Sequence, residues 1–573
     1  MKNKFIAVSC LAFACVFAFG SCGGGGQSSA GKDSTGGSSE KGFISAQALD
    51  LGAEFNSDYY PVEEAIEQRQ GKIDIAILFE GTEKGWEAVA NEYMRLQSDA
   101  VIVSLDTKWT ASSYSDRLDQ ELTSGKTDWD IVQGNLASGN NTNTYCVNMY
   151  PSISTKNAYA GNKTWREVLE EDAYISDKTG TTSQTYLMNS EGLQTAWFVN
   201  TVAMEAAAAQ GYVNKEGKAE NPITWDDLMN LCSAMEKAGY KNPLGISVAA
   251  DSVNSSQFTW LLRVYGDYYY RNEYNNIQKE GSKYEVDLTA EQPEADEGYS
   301  ISYPKLFNTI LGENISANYV GGASAKFEEF VSQFGKMKDY LLLDAATTSM
   351  AQMRSLFQQQ SNGKESPQIM LDYVGSGLSF TNSQNDNFKI DFFDYPVMES
   401  NYVDSDTLLR DVGGNGGYLS IVQQGSAQNA LTLDFMKFFM SPYGQTIYYK
   451  GLSEAKASPK GLTLVDTSLV IVPTEWKEYF ETDKISFTGL SDSNPYVTFL
   501  VRSLDTGAQS TAKALELWQK YLTGSGADAI TEKLFGGQWQ DAIMADWTDF
   551  CTKRSWNTEC YKYPNQDDTS FGG

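Results

Sequence analysis

The chain has 573 residues with 74 acidic against 44 basic side chains, no histidine and seven cysteines, for a formal net charge of −30. A surface this acidic is repelled by phosphate backbones and anionic lipid headgroups, which argues against nucleic acid as a partner. The lack of histidine excludes Ser-His-Asp and Cys-His catalysis, His-ligated zinc and haem on a proximal histidine.

The chain opens MKNKFIAVSCLAFACVFAFGSC, with Lys2 and Lys4 as a basic n-region, an apolar run from Ile6 to Phe19, and small residues Gly20 and Ser21 before Cys22. This pattern predicts a secretory signal over 1–21, with an apolar run too short for an ordinary transmembrane span. The FGSC ending is similar to a bacterial lipobox, whose cysteine becomes the diacylated first residue of the mature protein; Phe19 stands at the usual leucine position. Gly23–Gly26 and the Ser/Gly-rich run to Gly42 suit a flexible tether, so 22–70 is read as a lipid-anchored tether and lead-in. The roughly 500 residues beyond exceed one core and imply two or more domains.

Lys72 to Gln97 predicts a buried strand (Ile73, Ile75, Ile77, Phe79), a short polar loop over Glu80–Lys84, and a helix. That helix has an apolar face of Trp86, Val89, Ala90, Tyr93, Met94 and Leu96. A strand over Ala100–Leu105, a loop with Trp109, a helix over Tyr114–Leu122 and a strand over Asp130–Gln133 follow, ending at Gly134–Asn135. Strand, helix, strand, helix, strand at short spacing is α/β, and in open parallel sheets ligands collect at the carboxyl ends of the strands. Farther on, Thr185–Asn200 reads as extended with a break at Glu191–Gly192, and Thr201–Gln210 as helical. Thr224 is expected to cap a helix with Asp227 in capping-box position, so Asp226 and Asp227 are cap and dipole partners rather than a catalytic pair. Gln257–Tyr270 is a strongly aromatic helix. Helices are expected at Phe327–Leu343, Ser349–Gln360, Asn429–Met440 and Ser510–Leu522. Strands are expected at Gln368–Val374, closed by Gly375–Ser376–Gly377, then at Phe388–Pro396 and Tyr418–Val422.

The glycine cluster at Gly413–Gly417 lacks the Lys-Ser/Thr ending of a phosphate loop and precedes a strand, not a helix. No calcium-loop pattern, no C-x-x-C pair and no G-x-S-x-G occurs, so neither a metal nor a cofactor is expected. Cys551 and Cys560 are compatible with a disulfide or with two reduced thiols. Planar polar groups at or beside the expected strand ends (Glu80, Asn135, Asp372, Tyr373, Asn415) and aromatic or amide groups near loops and helix starts (Trp109, Gln257, Trp260, Asn494, Tyr496) suit a neutral polyhydroxylated ligand. Hydroxyls pair with carboxylates and amides, and the C–H face of a sugar stacks on an aromatic ring. Trp86, Trp197 and Phe198, inside periodic elements, are expected to be core.

The ordered set of motifs resembles the extracellular solute-binding proteins of ABC importers, family 1, the group that includes maltodextrin-binding protein. It consists of the lipobox and tether, IDIAILFEGTEKGWEAVANEYM, DWDIVQGN, TAWFVNT, PITWDDLMNLCSAMEKAG, QFTWLLRVYGDYYY, QIMLDYVGSG and GGNGGYLSIVQQGSAQNALTLDFMKFFMSPYGQ, over about residues 72–540. The resemblance implies an α/β, two-lobed periplasmic-binding-protein-like fold whose lobes, joined by crossing strands, close on a ligand in the cleft. Lobe one would be 71–192 plus 392–452 and lobe two 193–391 plus 453–573. It also implies ligand contacts from Glu80, Asn135, Gln257, Trp260, Asp372, Tyr373, Asn494 and Tyr496. Maltodextrin binders carry aromatics where this chain has Gly134–Asn135, and a tryptophan near Asn494 and Tyr496, which implies a shorter or different saccharide.

The expected function is therefore a lipid-anchored receptor on the extracytoplasmic face of the cell membrane. It would capture a saccharide, by family analogy an oligosaccharide, and deliver it to the transmembrane subunits of an ABC permease, touching the membrane only through the lipid on Cys22. A receptor for a polyamine, peptide or other non-sugar solute is the alternative, and a surface glycoside hydrolase a distant third. Replacing Glu80 with Ala is expected to weaken ligand binding with little change in unliganded melting temperature; a large fall in that temperature would mark Glu80 as a structural carboxylate.

Overall fold

The computed structural model describes residues 55–79, 81–170, 173–174, 177–179, 182–249, 257–279, 302–311, 324–411, 414–459, 461–480 and 509–563. The chain is α/β and divides into two compact units, each built from separate stretches. Unit 1 takes the described residues of Met1–Ser190, Gly417–Ala455 and Thr463–Thr474; unit 2 takes those of Glu191–Gly416, Lys456–Leu462 and Glu475–Gly573.

Unit 1 is organised by β1 (Gly71–Ala76), β2 (Val101–Leu105) and β3 (Ile131–Gln133), all parallel, with β1 in the middle. A small hairpin of β4 (Asp177–Thr179) and β5 (Thr182–Gln184) lies outside this sheet. Between β1 and β2 runs the helix Glu83–Leu96, whose Trp86, Val89, Ala90, Tyr93 and Leu96 are buried at the expected helical spacing. Trp86 stacks on Phe439 with ring centroids 4.2 Å apart. The helix Pro442–Glu454 crosses Glu83–Leu96 at two glycines: a Cβ on Gly451 would come 2.7 Å from Ala88 Cβ, and one on Gly85 2.6 Å from the Tyr448 ring. Glycine at both positions is what lets the two backbones meet.

Unit 2 starts with β6 (Glu191–Leu193) and the wholly buried β7 (Thr195–Asn200), followed by β8 (Leu244–Gly245), β9 (Ile369–Tyr373) and β10 (Ile390–Phe393). Its main sheet has the order β10-β7-β9-β8, with β7 antiparallel to both neighbours and β8 parallel to β9. A smaller ladder pairs β11 (Gly414–Gly416) antiparallel with β6. The capping box at Thr224 is present: Thr224 Oγ1 accepts from Asp227 N at 3.1 Å and Asp227 Oδ2 from Thr224 N at 2.9 Å. Trp86, Trp197 and Phe198 are core.

Three expectations change. The chain returns to unit 1 at Gly417 instead of at 392, because β10 pairs with β7 from Ile390↔Asn200 to Phe393↔Trp197. The stretch 463–474, expected in lobe two, belongs to unit 1, held by Asp466 N to Val168 O at 2.9 Å and Ile471 N to Thr446 Oγ1 at 3.1 Å. Gly375–Ser376–Gly377, expected to close a strand, lies in a helix, Val374–Thr381. A Cβ on Gly377 would overlap Tyr479 and come 2.7 Å from Phe198, so the glycine serves close packing of that helix.

The last strand of the first sheet, β12 (Leu419–Ile421), comes far later in the chain and pairs antiparallel with β3. Asp130 fixes that return. Its Oδ2 accepts from Asp74 N at 2.8 Å, and its Oδ1 from Gln424 Nε2 at 2.9 Å and Gln428 Nε2 at 2.8 Å. Its carbonyl accepts from Val422 N at 2.9 Å. Burial raises the carboxyl's pKa against the lowering effect of the Asp74 and Gln428 hydrogen bonds. Asp130→Ala strands one backbone and two amide donors and is expected to cost about 3 kcal/mol of unfolding free energy by denaturant titration. A folded pKa raised above the unfolded one gives a contribution complete below the unfolded value and lost as pH rises through the folded one. The wild-type advantage over Asp130→Asn should therefore shrink as pH rises from about 4 through that window.

Candidate functional site

In unit 1 the carboxyl end of β3 runs into a tight turn, Gly134–Leu136. Gly134 is required there, since a Cβ would overlap Ser420 Oγ and come 2.8 Å from Leu187 Cδ2. The turn is pinned on both sides of Asn135: Thr142 Oγ1 donates to Gly134 O at 2.6 Å and Ser115 Oγ to Leu136 O at 2.5 Å. Asn135 is half-buried, and its buried Oδ1 has no hydrogen-bond partner. Trp109 packs on the same apolar cluster as Leu136, edge-on to Trp129 at 5.2 Å and to Tyr114 at 6.3 Å, with the Lys108 ammonium 4.8 Å from its ring centroid. Lys108 also pairs with Asp106 at 2.9 Å; burial would raise that carboxyl's pKa, and the hydrogen bonds and charge of Lys108 together with the neighbouring Trp109 outweigh it and leave it lowered.

In unit 2 the helix Gln257–Tyr270 is buried along its whole length. Gln257, its first residue, is fully buried; its Oε1 accepts from Ser247 N at 2.8 Å, two residues beyond β8. That bond sets the amide orientation, and Gln257 Nε2 is left buried with no hydrogen-bond partner. One turn on, Trp260 meets Tyr373, with ring centroids 4.7 Å apart and planes tilted by 56°. Tyr373 ends β9, next to Asp372.

Asp372 was expected to accept ligand hydroxyls. Instead its fully buried carboxylate is gripped by Arg354, Nε to Oδ2 at 2.5 Å and Nη2 to Oδ1 at 2.6 Å, and Oδ1 also accepts from Tyr373 N at 2.8 Å. Burial would lower the pKa of Arg354, and the Asp372 charge and its hydrogen bonds outweigh that and leave it raised. The pair is a neutral brace behind Tyr373. Arg354 was missed because it is a lone cation in an otherwise uncharged helix, Met350–Gln359, with nothing local to name its partner 18 residues away.

Within unit 2 the structure brings together Trp260 and Tyr373, with Asp372 adjoining and Gln257 on the same helix. Asn415 lies in β11 with its backbone paired to Gly192. Glu80, Asn494 and Tyr496 lie outside the described residues.

No protein-family model and no curated protein matches the chain. Solved structures similar to it are extracellular solute-binding proteins. A family 1 extracellular solute-binding protein from Bifidobacterium longum subsp. infantis is 13% identical, with 84% of this chain and 99% of that one covered at a TM-score of 0.48. The GacH receptor of Streptomyces glaucescens, determined unliganded and with acarbose, is 14% identical over 84% and 99% at 0.49. A manno-oligosaccharide-specific solute-binding protein from Bifidobacterium animalis subsp. lactis, in complex with mannotriose, is 11% identical over 86% and 100% at 0.45.

Arg354→Met leaves the Asp372 carboxylate buried without its counter-charge and is expected to cost about 3–5 kcal/mol of stability. Adding Asp372→Asn should recover most of that loss; a single-variant cost below about 1 kcal/mol by denaturant titration would remove the pair from the support of Tyr373.

Proposed function

We infer that the protein is the lipid-anchored substrate-binding component of an ABC importer, a receptor and not an enzyme. It captures a saccharide on the extracytoplasmic side of the membrane and hands it to the permease subunits. Asn135, Gln257, Trp260 and Tyr373 are ligand contacts in this reading, with Trp109, Glu80, Asn415, Asn494 and Tyr496 as further candidates and Cys22 as the lipidated residue. No candidate span of sufficient length and apolarity to cross a membrane occurs among the described helices.

The observation that carries the reading is Gln257 Nε2, a buried amide donor held in one orientation and lacking an acceptor. Leaving such a group unmade costs about 1–3 kcal/mol, and native proteins leave few of them. A ligand oxygen completes it. An N–H donor repels ammonium groups, and Asp372, the buried acid in this neighbourhood, is already neutralised by Arg354. The chemistry thus favours a neutral polyol over a polyamine, although the chain carries a net charge of −30.

The test is a melting-temperature series with mono- and oligosaccharides at millimolar concentration, alongside spermidine and short peptides. A saccharide at 100 times its Kd should add about 2.7 kcal/mol to the stability of the unit that binds it. Gln257→Leu should abolish that shift; it also strands the buried Ser247 N, so the unliganded melting temperature falls by an amount that saccharide does not restore. A shift with amines alone would move the ligand to a cation, and release of reducing sugar from an oligosaccharide would make the protein a hydrolase.

A further inference from the structure

All four described cysteines are buried thiols. Cys146 sits in an apolar cluster with Tyr114, Leu118 and Val422, and Cys232 faces the core from the helix Trp225–Lys237. Cys551 and Cys560 differ, because the chain folds back to bring them together. Cys551 is in the last turn of the helix Glu532–Arg554, which stops at Ser555 in the left-handed region (φ 57°). Trp556 N then donates to Cys551 O at 2.9 Å, and Trp547 Nε1, one turn before Cys551, donates to Thr558 O at 2.8 Å. These bonds dock 556–561 against the helix end and bring Cys560 beside Cys551, both fully buried.

We propose that Cys551 and Cys560 form a disulfide in the exported protein, a covalent staple that holds the C-terminal hook to the end of its helix. The hook in turn supports a neighbour, since Tyr561 O accepts from Asn308 Nδ2 at 2.9 Å on the helix Tyr303–Leu311. The bond forms during folding, by exchange with a small-molecule disulfide such as oxidised glutathione. The Cys551 thiolate attacks one sulfur, forming a mixed disulfide and releasing one glutathione thiolate. The Cys560 thiolate then attacks Cys551 Sγ, closing the intramolecular bond and releasing the second. The two cysteines give up two protons and two electrons, and the glutathione disulfide becomes two thiols. Once both thiols are buried, burial and the neighbouring Cys560 push the Cys551 thiol up to about 12, so a pair that folds reduced stays unreactive. The proposal does not depend on the identity of the ligand.

Trypsin cuts between the two cysteines at Lys553 and Arg554, which makes the test direct. The full chain is unfolded, refolded in a mixture of oxidised and reduced glutathione, blocked with iodoacetamide in denaturant, digested without reductant and read by mass spectrometry. The expected product is Leu534–Lys553 joined to Ser555–Lys562, separated by dithiothreitol. Reduction of the refolded protein should also lower its melting temperature by at least about 2 °C. A variant with Cys551→Ser and Cys560→Ser should melt at the reduced value and ignore reductant. The proposal is overturned if both peptides come back alkylated from protein with a native circular dichroism spectrum, or if either is joined to another cysteine.

Discussion

One carboxylate decides whether the first unit is a single object. Asp130 takes hydrogen bonds from Asp74, Gln424 and Gln428, and its carbonyl from Val422, so the opening of the chain and a segment some 350 residues later share one acceptor. Hydrophobic burial alone would hold those pieces near each other without fixing register, because it is non-directional. The second unit solves the same problem with charge. Asp267, in the middle of its buried helix, receives Arg410 through Nε at 2.8 Å and Nη2 at 2.5 Å, and Arg271 through Nε at 3.1 Å and Nη2 at 2.5 Å. Arg271 also donates to Leu408 O at 2.7 Å, so the irregular segment before Gly414 is tied to that helix. In both units an acid is the address to which a distant stretch returns.

The ligand chemistry is arranged against this background of satisfied polar groups. Three buried acids are completed by named donors: Glu92 by Arg95 and Tyr443, Asp434 by Tyr93, Tyr159 and Gln97, Asp372 by Arg354. Asn135 Oδ1 and Gln257 Nε2 are among the buried polar atoms without a hydrogen-bond partner, and each belongs to a residue whose backbone or other end is held. An acceptor on one and a donor on the other suit hydroxyls, which are both donor and acceptor.

Much of this was legible because local chemistry wrote it. The apolar stripe of Glu83–Leu96, the Thr224–Asp227 cap and the alternation of strands and helices at the start are all set by neighbours within a few residues. Asp130 reads in sequence as the first residue of a strand, and its role as a hub does not show there, since its amide partners are Gln424 and Gln428. Asp372 shows the same limit: nothing at a strand end marks in sequence the arginine that grips its carboxylate. Gly377 misleads in the other direction, because a glycine that admits Phe198 and Tyr479 is indistinguishable in sequence from one that ends a strand. The chain holds 33 Tyr, 27 Phe and 12 Trp, and many of them serve the core: Trp165, Trp197, Trp225, Trp518, Trp539 and Trp547 are fully buried.

The pairing of Ile131 with Ile421 carries a kinetic consequence. The first sheet is missing its β12 edge strand until nearly three quarters of the chain has been synthesised, and the β1–β3 core has no Gln424 or Gln428 to close on. Closing so long a loop is a slow step, and contacts of this separation dominate folding time. A chain written in this order emerges from the ribosome unable to complete either unit until its last segments are made.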